Sequence, residues 1–489
     1  MLGSLYLGEW GMSAIRSRIF GLVIALAALV AGPQALAQQS VDEIAEAEAF
    51  ALGYQAYITG AVYARSQILM EYDINPNAPL NAPLNSFNIY PELATPDTAI
   101  DFTPNNDTVY GLAWLDLRHG PVLMTIPATP DRYWVVQATD WALNTLDYVG
   151  SRVGSKPGTY AYVPHGWTGT LPAGVTRIES STTGVFLQAR VVITPESKTD
   201  LNRVVAMLKT FSLKPLNPNA TYLMVERDAP LVRTQMENPM WQSLDFYRLL
   251  NRAWAFGGVR EQDREVVQLA SALGIGPGMT FDPSKLSAAQ RRGLERAAKT
   301  GFERTWQYAL SYGERKNGWR VSTSLGYYGN DRLLASTIGM RGYGANTAVE
   351  AAYFPAYVDD SGQPFNGEHS YQIRFPAGQM PPANAFWSVT MYSLPNNRLI
   401  ANPIKRYAIS ERTPGVKFES DGSMILHIQH DRPKVSGANN WLPSPKGRFW
   451  VILRMYGPKS QVLRGEYAPP PVERLEMRAV DTVSQDSRS

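Results

Sequence analysis

Polar residues that could bind or activate a small molecule are concentrated in the stretch TPNNDTVYG at 103–111. Asn105, Asn106 and Asp107 stand directly before an apolar, β-branched segment. Side chains of Asn and Asp hydrogen-bond the nearby backbone in turns, and one or two of them are enough for a turn. Three in succession leave spare donors and acceptors, so we interpret the stretch as a site supported by a strand. A network that binds only its own loop backbone is the alternative.

The residues around this loop have types that suit a binding or catalytic role. Asp107 is the candidate acid or base, and Asn105 and Asn106 would orient polar groups of a substrate. We expect Tyr110 to supply a hydroxyl group. Arg132 would supply a positive charge for a carboxylate or an oxyanion. A charge that only holds neighbouring loops is the alternative for Arg132.

His430 is the second candidate for acid–base chemistry in a chain with five histidines. In the segment MILHIQHD, alternate residues of a strand face opposite sides, which places His427 and His430 apart and weakens a shared metal site. His430 ends this pattern and precedes Asp431. Because histidine titrates near neutral pH, this position would suit a general base. A hydrogen-bonded structural histidine is the alternative.

Several common active-site motifs are absent from the sequence. It contains no cysteine and no G-x-S-x-G, G-x-x-x-x-G-K, G-x-G-x-x-G or H-E-x-x-H motif. These absences argue against thiol chemistry, common serine hydrolases, phosphate-binding loops and zincin-type proteases. No cofactor is therefore assigned. A metal site built from distant His and Asp residues stays open.

The charge balance constrains the class of partner. The formal net charge is +3, and no basic block stands out, so nucleic acid is not the expected partner. We expect a small-molecule or glycan ligand instead. The sequence leaves a homo-oligomer open.

The N-terminus resembles a secretory signal peptide at 1–37. Arg16 and Arg18 precede the apolar run 19–30, and Ala35 begins an A-x-A pattern that ends at Ala37. The run is shorter than the roughly 20 residues of a comfortable membrane span. We therefore predict cleavage near Ala37, a periplasmic or secreted protein, and no transmembrane span after cleavage. A retained N-terminal anchor is the alternative, and either Met1 or Met12 is the true start.

Hydrophobic periodicity predicts a mixed α and β protein with two jelly-roll-like or β-sandwich domains joined and flanked by helices. An N-terminal helix and a first β domain are predicted first, followed by a mainly helical connection, a second β domain and a flexible tail. The predicted segments are 41–198, 199–345, 346–475 and 476–489.

The two β regions resemble each other. IPATPDRYWVVQAT aligns loosely with FPAGQMPPANAFWSVTMY, which places Trp134 opposite Trp387, and GVFLQARVV echoes GRFWVILRM. We predict two related β domains, each with its tryptophan facing its own core. Coincidence between strand patterns is the alternative.

Longer motifs resemble two known families. TPNNDTVYGLAWLDL, DRYWVVQATD and GWTGTLPAG are similar to the family called domain of unknown function 1254. YQIRFPAGQMPPANAFWSVTMY and NWLPSPKGRFWVILRMYGP resemble its usual C-terminal companion, domain of unknown function 1214. The resemblance implies two jelly-roll-like domains joined by helices and supplies no reaction. One departure is AYITG, where Thr59 stands at a position that is more often aromatic in the family.

Two hypotheses about function follow. The favoured one is an exported enzyme that uses acid–base chemistry of the hydrolase or lyase type on a small organic substrate, because polar clusters recur at predicted strand ends. The alternative is a non-catalytic envelope protein, or one that binds a glycan or another small molecule.

Overall fold

The structure is a computed structural model that describes residues 40–98, 103–227, 229–232, 234–434 and 438–475. The predicted signal peptide at 1–37, the alternative start at Met12 and the predicted tail at 476–489 lie outside these residues. The fold is mixed α and β, with two β-sandwich domains and a group of helices, as the sequence predicted.

The first β-sandwich has a five-stranded sheet in the order β1-β2-β8-β4-β5 and a four-stranded sheet in the order β7-β6-β3-β9. Its strands are β1 (Asn88–Ile89), β2 (Thr108–Asp116), β3 (Val122–Ile126), β4 (Trp134–Asp140), β5 (Thr145–Gly150), β6 (Gly158–Pro164), β7 (Thr176–Ser180), β8 (Gly184–Val192) and β9 (Ser212–Pro215).

The second β-sandwich has a six-stranded sheet in the order β10-β11-β12-β18-β14-β15 and a four-stranded sheet in the order β17-β16-β13-β19. Its strands are β10 (Glu314–Lys316), β11 (Trp319–Val321), β12 (Ala351–Ala356), β13 (Ser370–Phe375), β14 (Ala383–Ser393), β15 (Ala408–Ile409), β16 (Met424–Gln429), β17 (Trp441–Pro443), β18 (Phe449–Pro458) and β19 (Glu473–Leu475).

The strand order of the first sandwich recurs in the second. Each strand from β1 to β9 has a counterpart ten strands later with the same neighbours, and β10 only extends the edge. The parallel pair β6 and β7 recurs as the parallel pair β16 and β17. Trp134 and Trp387 lie on the corresponding strands β4 and β14, each in the core of its own sandwich. The predicted relation between the two β regions is therefore confirmed at the level of topology.

Most of the described helices pack together over the outer face of the five-stranded sheet, whereas Val204 of helix 198–208 lies in the core of the first sandwich and Val462 of helix 460–463 in that of the second. The helix bounds are α1 (Val41–Asp73), α2 (Lys198–Leu208), α3 (Asp245–Gly257), α4 (Arg264–Ala270), α5 (Ala288–Tyr308), α6 (Arg332–Arg341) and α7 (Ser460–Leu463). One face of β2, with Val109 and Leu115, belongs to the sandwich core, whereas Tyr110, Leu112 and Trp114 pack in the helical core. Because both faces are covered, every residue of β2 is buried.

The long helix α1 lies at the centre of the helical group. Ser40 and Glu43 form a capping box that fixes its start. Residues 59–70 are buried on all sides, because α3, α5 and α6 pack around this part of the helix. Within the described part of the chain, no helix has the length and apolar character needed to cross a membrane.

The contact between α1 and α5 depends on the absence of a side chain at Gly293. A Cβ atom there would lie 2.4 Å from the carbonyl oxygen of Glu46, which is a backbone atom of α1. We predict that Gly293→Ala lowers the free energy of unfolding by about 1–3 kcal/mol through overpacking. In an isolated helix, by contrast, replacing glycine with alanine increases stability by about 1 kcal/mol.

Denaturation in urea measures this effect. Lys299→Ala on the exposed side of α5 serves as the control and should change stability by less than about 0.5 kcal/mol. A Gly293→Ala protein as stable as the wild type would show that the two helices do not pack as closely as described.

Candidate functional site

A cavity of about 80 Å³ lies between the two β-sandwiches and the end of α6. A single water needs roughly 10–15 Å³ in this measure, so the cavity has room for a small organic molecule. Its charged lining residues are Arg190, Arg341 and Arg454. Its tyrosines are Tyr110, Tyr312, Tyr343, Tyr353, Tyr357 and Tyr456.

Corresponding positions of the two sandwiches supply one wall each. On β8, Arg190 lies opposite Tyr110 of β2. On β18, Arg454 lies opposite Tyr353 of β12. In both cases the next residue along the strand lies opposite the core tryptophan of the neighbouring strand. The Tyr–Arg pair is therefore a repeated feature of the duplicated fold.

Arg190 is 4% exposed, and its hydrogen-bond partners among the described residues are all neutral. Its Nη2 atom donates to the carbonyl oxygen of Gly344 (2.6 Å) and to the side chain of Gln188 (2.6 Å). Its Nη1 atom donates to Oδ1 of Asn346 (3.0 Å) and to Oε1 of Gln137 (3.2 Å). The guanidinium of the first sandwich thus binds the segment that leads into β12 of the second.

Arg454 has the reciprocal arrangement and is 3% exposed. Its Nη2 atom donates to the carbonyl oxygen of Thr103, which precedes β2, and to the hydroxyl of Tyr392, both at 2.9 Å. Its Nη1 atom is buried and has no hydrogen-bond partner among the described residues. Because this residue lines the cavity, it places a positive charge beside the cavity wall.

Arg341 lies at the C-terminal end of α6 and is half-buried. Its guanidinium stacks on the ring of Trp306, with 4.1 Å from Cζ to the ring centroid. Its Nη2 atom donates a long hydrogen bond of 3.4 Å to Oδ1 of Asn397. Arg341 and Asn397 are half-buried, whereas Arg190 and Arg454 are buried, so Arg341 is the most exposed of the three lining arginines.

The lining of the cavity carries positive charge without a negative counterpart. Among the residues that the structure describes, no Asp or Glu lines it, and none of the ion pairs involves Arg190, Arg341 or Arg454. Two buried carboxylates lie outside the lining: Asp107, which interacts electrostatically with Arg454, and Glu350, which accepts from Tyr133 (2.6 Å) and Arg152 (2.8 Å). The arrangement is suited to an anion, since arginine stays protonated and its planar fork matches a carboxylate.

Two of the residues predicted from the sequence line this cavity, namely Asn105 and Tyr110. Oδ1 of Asn105 accepts from the backbone N–H groups of Asp107 and Thr108, both at 2.9 Å, which is a local turn bond. Its Nδ2 atom donates to the hydroxyl of Tyr456 at 2.7 Å. Asn105 therefore stabilises its own loop and also joins the two sandwiches.

Asp107 and Asn106 lie in the same loop but do not line the cavity. Asp107 accepts a hydrogen bond from Oγ of Ser388 on β14 at 2.6 Å. Burial raises the pKa of Asp107, while the bond from Ser388 and the charges of Arg454 and Arg412 act in the opposite direction. Asn106 donates to the carbonyl oxygen of Ala94 at 2.6 Å. The loop thus connects the two sandwiches directly beside the cavity.

Arg132 and His430 lie away from this cavity. Arg132 forms an ion pair with Asp200 at 2.8 Å, and its hydrogen bond lowers the pKa of Asp200 to about 2. His430 follows β16, where the period-two burial pattern is as predicted, and its Nδ1 atom lies 3.1 Å from the carbonyl oxygen of Ser444. No described contact joins His430 to Asp107. Within the described residues, no three His, Asp or Glu side chains are grouped to hold a metal ion.

The cavity contains residues that the sequence analysis did not select. Arg190 and Arg454 stand in the apolar runs LQARVV and VILRMY, which predict buried strands. A charged residue in such a run was the available signal, because arginine is almost never fully buried without a partner. The strand register, which brings each arginine beside a tyrosine, was not readable from the sequence.

Comparison with known proteins places both domains in families without an assigned function. Residues 84–215 match the model of the family "Protein of unknown function (DUF1254)", and residues 350–460 match that of "Protein of unknown function (DUF1214)". No curated protein sequence matches the chain.

Two solved structures are similar to the chain. The VPA0106 protein from Vibrio parahaemolyticus is 23% identical with a TM-score of 0.63, over 88% of this chain and 100% of that one. A putative uncharacterized protein from Burkholderia cenocepacia is 10% identical with a TM-score of 0.42, over 88% and 95%. The first likeness supports the β-rich fold and carries no function. The two matched segments lead to one conclusion: the chain contains a segment that matches DUF1254, followed by one that matches DUF1214, as its motifs predicted.

Proposed function

We propose that the protein binds a small organic anion, most simply a carboxylate, in the cavity between its two β-sandwiches. The observation that carries this proposal is Nη1 of Arg454, a buried cationic donor without a hydrogen-bond partner in the described part of the chain. Leaving such a donor unbonded costs free energy, and an anion in the cavity would remove that cost.

The other lining residues support an organic rather than an inorganic anion. Tyrosine rings and aliphatic side chains such as Ile338 and Ile452 provide apolar surface beside the arginines. Burial raises the pKa of Tyr456 well above its usual value, so its hydroxyl stays protonated and able to donate. Apolar walls with a few placed polar groups are typical of small-molecule sites. The volume favours a small molecule over a glycan chain.

The hypothesis of acid–base catalysis has weaker support than binding. Neither Asp107 nor His430 lines the cavity. The lining groups bonded to the arginines are carbonyl and amide oxygens, among them the carbonyl oxygens of Gly344 and Thr103. A hydrolase or lyase reaction therefore remains a prediction from the sequence, to be tested on whichever anion binds.

The anion hypothesis predicts the behaviour of Arg454 variants. Small carboxylates should stabilise the wild-type protein against heat, by about 2.7 kcal/mol at a concentration of 100 Kd. Arg454→Met should abolish this stabilisation, whereas Arg454→Lys should keep part of it, because lysine keeps the charge and loses the planar fork. Differential scanning calorimetry with and without each carboxylate measures the effect.

Matched controls separate charge from shape in this experiment. The carboxamide of each acid has nearly the same size and no charge, so it should not stabilise the wild type. Arg432→Met replaces an exposed arginine of the same domain and should respond to carboxylates like the wild type. Equal stabilisation of the wild type and Arg454→Met would refute the proposed site.

Asp107→Asn distinguishes a catalytic Asp107 from a structural one. The substitution keeps the shape and removes a buried negative charge near Arg454, so carboxylate binding should be unchanged or tighter. Because burial raises the pKa of Asp107 in the folded state, its folded form gains protons relative to the unfolded chain. The stability of the variant relative to the wild type should therefore increase as the pH rises from about 4, the ordinary pKa of aspartate.

Calorimetry between pH 4 and 8 measures this trend. Loss of turnover with retained carboxylate binding would support the catalytic role. A relative stability that falls with rising pH would contradict the effect of burial on Asp107.

We also propose that the chain is exported after cleavage near Ala37, which the N-terminal pattern supports. The mature protein should begin at or near Gln38 and occur in the periplasmic or extracellular fraction. N-terminal sequencing of the protein from fractionated cells measures both. An intact N-terminus in the cytoplasmic fraction would contradict export.

A further inference from the structure

We infer that the ligand carries two anionic groups, one at each end of an apolar body, and that it lies along β18 between Arg454 and Arg341. This inference rests on the proposed binding of an organic anion and specifies its class. It follows from the way the three arginines are distributed around the cavity.

The inner end of the cavity contains two of the arginines. Arg190 and Arg454 both interact electrostatically with Tyr110 and Tyr456, so the two guanidinium groups lie in one polar region. Asn105 bonds to Tyr456 in the same region. One anionic group placed here would accept from Nη1 of Arg454 and lie in the field of Arg190.

The outer end has a different set of neighbours. Arg341 lies by Trp306 and Asn397, and Asn397 also accepts a hydrogen bond of 3.0 Å from Nε1 of Trp450. Arg341 interacts electrostatically with Tyr312 and Tyr357. None of these residues contacts Arg454 in the described part of the chain, so the outer positive charge forms a separate binding position.

The two ends are connected by an apolar floor. Arg454, Ile452 and Trp450 alternate along β18 with residues of the sandwich core, so all three face the cavity. Pro355 of β12 lies opposite Ile452. Between the arginine and the tryptophan the floor therefore presents aliphatic carbon rather than hydrogen-bonding side chains.

The strand also sets the length scale of the ligand. Arg454 lies four residue steps beyond Trp450 on β18, which corresponds to about 13 Å between their Cα atoms at roughly 3.3 Å per step. A molecule with one carboxylate near each arginine and an apolar chain or ring between them matches this floor. A monocarboxylate would leave the outer guanidinium without an anion.

The test compares each dicarboxylate with a monocarboxylate of the same shape. The probes are the linear α,ω-dicarboxylates from succinate to sebacate and terephthalate, each paired with the acid in which one carboxylate is replaced by a methyl group. Isothermal titration calorimetry on the full-length mature protein measures the dissociation constants. We expect at least one dicarboxylate to bind about tenfold more tightly than its partner, the gain of one additional charge-assisted contact.

Substitution of Arg341 assigns this preference to the outer end. Arg341→Gln should reduce the preference to less than about threefold while leaving the affinity of the monocarboxylate nearly unchanged. Arg304→Gln is the matched control, because Arg304 also stacks on an aromatic ring of α5, that of Tyr308, but is exposed and outside the cavity. The control should keep the wild-type preference.

The possible failures are distinguishable. If monocarboxylates bind the wild type as tightly as their matched dicarboxylates, the two-ended ligand is wrong while anion binding stands. If no carboxylate binds, the proposed function itself fails. A preference that survives Arg341→Gln would also overturn the assignment of the outer end. The wild-type comparison decides the inference even if the variant does not fold.

Discussion

Two arginines on buried strands place permanent positive charges inside this protein, and the interior has to solvate them. An isolated guanidinium in a low-dielectric interior is costly, so it needs hydrogen-bond acceptors at fixed positions. Arg190 donates to a backbone carbonyl in the segment before β12 of the second sandwich. Arg454 donates to one in the segment before β2 of the first sandwich. Each sandwich thus supplies hydrogen-bond acceptors to the buried arginine of the other. These hydrogen bonds form one polar seam between the two domains. The cavity lies at this seam because carbonyl and amide groups satisfy the geometry of the guanidinium groups without neutralising their charge.

Duplication explains why the seam is built from corresponding residues. The Tyr–Arg pair and a carboxylate three residues before the tyrosine occur in both sandwiches, as Asp107 with Tyr110 and as Glu350 with Tyr353. Each carboxylate accepts from a residue of the opposite domain. The two arginines differ in their bonding: both Nη atoms of Arg190 donate hydrogen bonds, whereas Nη1 of Arg454 has no partner among the described residues. The helices add Arg341 on one side alone, which gives the cavity distinct inner and outer ends.

Local sequence patterns predicted the parts of this structure that depend on local interactions. The long first helix, the core tryptophans and the alternation MILHIQ follow from hydrophobic periodicity and are present as expected. The site was predicted in part, because Asn105 and Tyr110 line the cavity while the loop's other polar groups join the domains. Arg190 and Arg454 were missed because their role depends on strand register and on the docking of two distant domains. Those are non-local quantities that no short motif specifies.

In the proposed complex, the buried guanidinium of Arg454 binds the anionic group of the ligand. A crystal structure of the protein with its best-binding carboxylate tests this most directly. We expect a carboxylate oxygen within hydrogen-bonding distance of Nη1 of Arg454, with the body of the ligand along Ile452 and Pro355. A ligand bound elsewhere, or an Arg454 paired with a carboxylate of the protein itself, would contradict it.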